Sequence, residues 1–162
     1  MTLKDFHPAH KFMYEFGCFT AFWSNFELMM EVGIWIHTKR SAKENCKDVN
    51  LKKTAGEKKE ILKKLLSKKH LMDAYSALEK VFAVADRNGW IHGHVLNPNG
   101  DFSRLTRLRV KLDGNDLKVD NATIDVSVSP FLTFYEAFGE FEAKSGISRE
   151  KCNEYITLLQ AA

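Results

Sequence analysis

The chain holds little that staples or punctuates a fold: three prolines, three cysteines and nine glycines in 162 residues. Cys18, Cys46 and Cys152 are far apart, odd in number and include no CxxC pair. That excludes a disulfide framework and a zinc-ligand cluster of cysteines, and it fits a reducing compartment. With 44% hydrophobic and 28% charged residues, disordered, collagenous and low-complexity classes are excluded too. Absent as well are a GxxxxGK[ST] phosphate loop, a GxGxxG turn, HExxH, an EF-hand loop and a GxSxG elbow. Nucleotide hydrolysis at a Walker site is therefore out. The opening residues MTLKDFHPAHKF lack the basic start, apolar stretch and cleavage site of a secretory signal, so a cytoplasmic protein is expected. The most apolar stretch, Phe12 to Ile36, contains Glu15, Asn25, Glu27 and Glu31. An acid at a bilayer centre is unfavourable by about 2–3 kcal/mol, so no membrane span is expected.

What is present is one domain's worth of chain with an uneven charge. The formal net charge is +3, yet residues 39–70 hold 12 lysines and arginines against Glu44, Asp48, Glu57 and Glu60, about +8 locally. The remainder therefore carries about −5. A basic patch on an acidic body is either a footprint for a phosphate backbone or a solvated lysine-rich surface.

Hydrophobic spacing predicts a mostly α protein, a bundle of four to five helices with an inserted β-hairpin at about 102–128, in a single domain over 1–162. Phe12, Phe16, Phe19, Trp23, Phe26, Met30 and Ile34 step by three or four and give one long helix from His10 to about Thr38. A second ridge, Phe22, Met29 and Trp35, widens its apolar surface, as expected of a helix covered by core and by a partner subunit. Residues 39–56 lose the periodicity and read as a loop. Residues 56–70 give a helix with Ile61, Leu62, Leu65 and Leu66 inside and a cationic outer face, and a third helix runs from His70 to about Asn88. After a turn at residues 97–101, Leu105 to Leu112 alternates, with Leu108, Val110 and Leu112 on one side and Arg107, Arg109 and Lys111 on the other. A second alternating run, with Ala122, Ile124, Val126 and Val128 apolar, follows the turn at 113–116. Ser129-Pro130 opens a fourth helix that Gly146 ends, and Ser148 opens a last one over Arg149 to about Leu159.

Chemistry concentrates in Asp86-Arg87-Asn88-Gly89-Trp90-Ile91-His92-Gly93-His94. Each helical glycine costs about 1 kcal/mol relative to alanine, so a bundle helix has no packing reason to end this way. On a helix, Asn88 and His92 share a face, while Arg87 stands about 140° from His92 and must reach round, helped by a bend at Gly89. The expected site is Arg87, Asn88 and His92 together. The same residues can also be read structurally, with Arg87 capping the third helix and His92 a satisfied bundle histidine.

The stretch RNGWIHG, an arginine, a polar residue and a histidine five positions after the arginine, resembles the signature of the HEPN superfamily. The aromatic-and-Glu segment FWSNFE, Phe22 to Glu27, on the long first helix is also similar to members of that family. The resemblance covers about residues 10–96 and 130–160 and leaves the hairpin unassigned. It implies a metal-independent endoribonuclease, a toxin or defence effector with a possible antitoxin, often a homodimer whose two motifs face one cleft. In that chemistry His92 moves a proton, Arg87 holds the scissile phosphate and Asn88 positions the 2′-hydroxyl or His92.

Lys58, Lys59, Lys63 and Lys64 on the second helix, with Arg107, Arg109 and Lys111 on the hairpin, are the candidate RNA contacts. His92 and His94 have no third ligand near them in sequence, so no metal and no cofactor is expected. Glu27 is read as an acid at a helix edge. A non-catalytic dimeric module binding a nucleotide or a protein partner in the same cleft is the alternative.

Overall fold

A computed structural model of the chain describes residues 7–87, 90, 94–96, 104–113, 116–125 and 129–161. The protein is mostly helical with an inserted β-hairpin. Helix α1 spans Pro8–Thr38, α2 Ala42–Asn45, α3 Ala55–Lys68, α4 Met72–Ala85, α5 Leu132–Ser145 and α6 Arg149–Gln160. Strands β1 His94–Leu96, β2 Arg104–Asp113 and β3 Asp116–Asp125 lie between α4 and α5. No helix among the described residues is long and apolar enough to cross a membrane.

The chain forms two compact units, one of Met1–Thr20 with Phe82–Phe134, the other of Ala21–Val81 with Tyr135–Ala162. In the first, Phe19 stacks on Phe131 at 4.6 Å and meets Phe134 edge-on at 4.9 Å, while Trp90 lies 4.8 Å from Phe131. In the second, Phe26 meets Phe138 and Phe141 edge-on at 6.0 and 5.5 Å. Phe19, Phe26, Phe131, Phe134 and Phe141 are fully buried. Offset and edge-to-face pairs of this kind add about 0.5–1.5 kcal/mol each beyond their area, so the ladder of phenylalanines is the adhesive of both units. Gly33 lets α1 approach its neighbours: a Cβ there would stand 2.8 Å from Ile147 Cδ1 and 3.1 Å from Leu62 Cδ1.

Residues 39–56 are not a plain loop. Ser41 and Glu44 close a reciprocal capping box that starts α2, and a π-helical turn over Cys46–Asn50 follows without a break. The Ser-x-x-Glu spacing carries this signal, and apolar periodicity over a long window misses an element of one turn. Thr54 and Glu57 repeat the device at the start of α3, with the Glu57 carboxylate accepting from Thr54 N at 2.8 Å.

The hairpin is the middle and edge of a three-stranded antiparallel sheet in the order β1-β2-β3. β1, which alternation over three residues is too short to reveal, pairs Val95 with Arg107. On the other side Arg107 pairs with Ala122 and Leu105 with Ile124. Residues directly opposite share a face, so Arg107 stands on the side where Ile124 is buried. That register overturns the expectation that Arg107 lies on a face turned away from the apolar one.

Candidate functional site

Helix α4 ends three residues earlier than its apolar spacing suggests, at Ala85, because Asp86 takes a left-handed backbone with φ of 38°. Aspartate tolerates that region better than most side chains, at a modest strain. The chain then resumes a helical turn: Trp90 N donates to Asp86 O at 3.1 Å. Arg87, half-buried, opens that turn. The motif therefore starts on a separate turn displaced from α4.

Trp90 anchors it. The indole is buried between Phe131 and Phe12, whose ring centroid is 6.3 Å away. Arg107 locks the same turn from the sheet: its guanidinium sits 2.9 Å from the Asp86 carboxylate and 4.5 Å from the centre of the Trp90 ring. One side chain thereby makes an ion pair and a cation–π contact with the two ends of a single turn. Partly desolvated contacts of these kinds contribute about 0.5–2 kcal/mol each. Arg107 is thus a clasp on the motif and not a free cation for RNA, because the strand register turns it inward.

Asn88 and His92 lie outside the described residues, as do the side chains of Arg109 and Lys111 on β2. His94 belongs to β1. No group of three or more histidine, cysteine, aspartate or glutamate residues that would hold a metal occurs among the described residues.

The four candidate lysines of α3 fall into three environments. Lys58 is buried, with Nζ 4.0 Å from Glu31 Oε2, so it does not belong to the outer face that the lysine pairs suggested. Lys59 and Lys63 converge on Glu79, each at 2.9 Å, and Lys63 is held further in its charged form by that carboxylate. Lys64 is exposed. Helical geometry explains the split, since position 58 lies on the same face as Leu62 and Leu66.

Sequence reasoning missed the polar cluster around Lys58. Glu31, almost fully buried on α1, accepts a hydrogen bond from the Tyr155 hydroxyl at 2.5 Å. Asn45 Nδ2 donates to Tyr155 Oη at 3.1 Å and to the Glu31 carbonyl at 3.2 Å, while Asn45 Oδ1 is buried without a hydrogen-bond partner. Burial pushes the Glu31 carboxyl up, against the hydrogen bond from Tyr155 and the Lys58 charge, which pull it down. An acid inside an otherwise apolar helical run, as Glu31 is, was the available signal, since buried carboxylates require partners. Glu27, for its part, accepts a hydrogen bond from Trp23 Nε1 on α1.

Comparison with family models, with curated proteins and with solved structures finds no match to the chain. The HEPN resemblance accordingly rests on the motif residues themselves.

Proposed function

We propose that the chain is a metal-independent endoribonuclease of the HEPN type, a cytoplasmic toxin or defence effector restrained by an antitoxin and working as a homodimer. The observation that carries this reading is the anchorage of the motif's first turn, with Arg87 on a backbone pinned by buried Trp90 and by the Arg107 clasp on Asp86. A cation that stabilises charge developing on phosphorus is effective when its position is fixed before the reaction. RNA brings its own nucleophile. His92, of a type that titrates near pH 6.5, takes the proton of the 2′-hydroxyl as that oxygen bonds to phosphorus. Arg87 holds the non-bridging oxygens of the phosphorane in a fork of hydrogen bonds. Asn88 orients the 2′-hydroxyl or the imidazole. The bond to the 5′-oxygen breaks, that oxygen takes a proton from the imidazolium, and a 2′,3′-cyclic phosphate and a 5′-hydroxyl remain. Among Lys58, Lys59, Lys63 and Lys64, the exposed Lys64 is the candidate for contacting the RNA strand.

The test is cleavage of single-stranded RNA in EDTA by wild type, His92→Ala and Arg87→Ala. Loss of about 10²–10⁴-fold in rate in both variants, with unchanged helical circular dichroism, is the expected result. Equal cleavage by all three proteins marks a contaminant and overturns the reading. RNA binding without cleavage at any pH from about 5 to 9 assigns the chain instead to a non-catalytic binding module.

A further inference from the structure

The stretch joining α1 to α3 makes a second feature, independent of Arg87 and His92. Residues 39–54 carry Lys39, Arg40, Lys43, Lys47, Lys52 and Lys53 against Glu44 and Asp48. A groove of about 420 Å³ opens among them. Its lining includes the buried Ile34 and Val49 with Ile61, and the exposed Arg40, Lys52 and Lys53 around the single carboxylate of Asp48. The site is built rather than incidental. Trp35 Nε1 donates to the Arg40 carbonyl at 3.0 Å, which fixes the chain as it leaves α1. Asp48 then gathers Arg40 at 3.4 Å and Lys52 at 3.0 Å, and Lys53 stands 3.6 Å from Glu57, whose other oxygen is taken by Thr54.

We propose that this groove binds a nucleotide phosphate ester, the phosphate on Arg40, Lys52 and Lys53 and the sugar or base face against Ile61 and the methylene stems of the lysines, over a floor closed by the buried Ile34 and Val49. Cations outnumber the carboxylate three to one in the lining. A phosphate offers oxygens that Arg40 and Lys52 can take up in place of those of Asp48, and more of them. The apolar wall adds contact that a bare inorganic anion leaves unused and a nucleoside fills. The contrast with α3 is one of access: Arg40, Lys52 and Lys53 are exposed, whereas Lys58 is buried and Lys59 and Lys63 are half-buried.

The experiment uses the full chain carrying His92→Ala, so that cutting does not consume the probe, with a fluorescent single-stranded RNA oligonucleotide and, separately, AMP. RNA binding should weaken with salt at a log–log slope of about −2, three phosphates at about −0.7 each. Arg40→Glu/Lys52→Glu/Lys53→Glu should flatten that slope and lower affinity about tenfold or more at low salt. The neutral triple to Gln should move both in the same direction by less. Lys68→Glu/Lys69→Glu/Arg149→Glu makes the same change in net charge away from the groove and should retain most of the affinity. AMP binding lost in the groove triple identifies a mononucleotide pocket; RNA binding with none of AMP identifies a strand-backbone site. No binding of either probe, or equal losses in the two Glu triples, overturns the inference. Because cleavage is not measured, failure of the ribonuclease reading leaves this result intact.

Discussion

Removing one oxygen from Tyr155 tests whether the buried cluster of Glu31, Asn45, Lys58 and Tyr155 holds α1, α2, α3 and α6 together. Tyr155→Phe keeps the ring, which packs at 5.2 Å on Trp35, and deletes only the hydroxyl. Two bonds go with it: the charge-assisted donation to Glu31 at 2.5 Å and the acceptance from Asn45 at 3.1 Å. The first is worth about 1.5–3 kcal/mol and the second about 0.5–1.5 kcal/mol, so a loss of about 2–4 kcal/mol is expected. Asn45 keeps its bond to the Glu31 carbonyl, and Glu31 keeps a side-chain hydrogen bond with Asn50 and has Lys58 at 4.0 Å, which supports the lower half of that range. Urea unfolding should show a lower midpoint with an unchanged m-value. The pH dependence adds a sign. Burial raises the Glu31 carboxyl above its usual 4.5, so the folded state binds a proton there more readily than the unfolded chain. This group's contribution is therefore best below about pH 4.5 and declines as pH rises through the raised value. Because the Tyr155 bond lowers that value, the variant should lose more stability at neutral than at acid pH. A loss below about 0.5 kcal/mol at neutral pH would refute the reasoning.

Arg107→Ala should lower kcat on RNA with little change in KM, since Arg107 holds Asp86 and Trp90; a rise in KM alone would make it a strand contact after all. Gly17→Ala, where a Cβ meets nothing within 4 Å, should stabilise α1 by about 1 kcal/mol, whereas Gly33→Ala must displace Ile147 and Leu62 and should be about 0–2 kcal/mol less stable, both read by urea unfolding. Glu140, held down to about 2 by Lys144 and Lys80, contributes stability that is present above about pH 4.5 and lost as pH falls toward 2. Glu140→Gln should therefore lower stability at neutral pH, leave it little changed near pH 2 and so flatten the acid limb of a stability–pH curve; an unaltered acid limb would count against the pairing.

The helices were legible because α1, α4 and α5 present apolar residues at helical intervals over about three turns or more, α3 repeats paired apolar residues between its lysine pairs, and α6 opens at the Ser148 cap. Shorter elements were not. α2 depends on one capping box, and β1 offers three residues, fewer than alternation needs. The hairpin's two strands were legible singly, but their register was not, since it is set by pairing across strands; pairing Arg107 with Ala122 is what turns a presumed RNA contact into a clasp on the motif. Likewise Lys58 reads as one of a lysine pair until helical phase places it beside Leu62 and opposite Glu31. The motif was legible as residue types at a spacing, whereas the left-handed Asp86 that sets its turn apart from α4 has no sequence mark beyond aspartate's tolerance of that conformation.

The most direct test of Arg87–His92 chemistry compares an RNA oligonucleotide with its fully 2′-O-methylated counterpart in EDTA, with product ends identified by mass. Cleavage of the unmodified strand to 2′,3′-cyclic phosphate ends, and none of the methylated strand, is the predicted result. Cutting of the methylated strand, or an unmodified strand left intact, contradicts it.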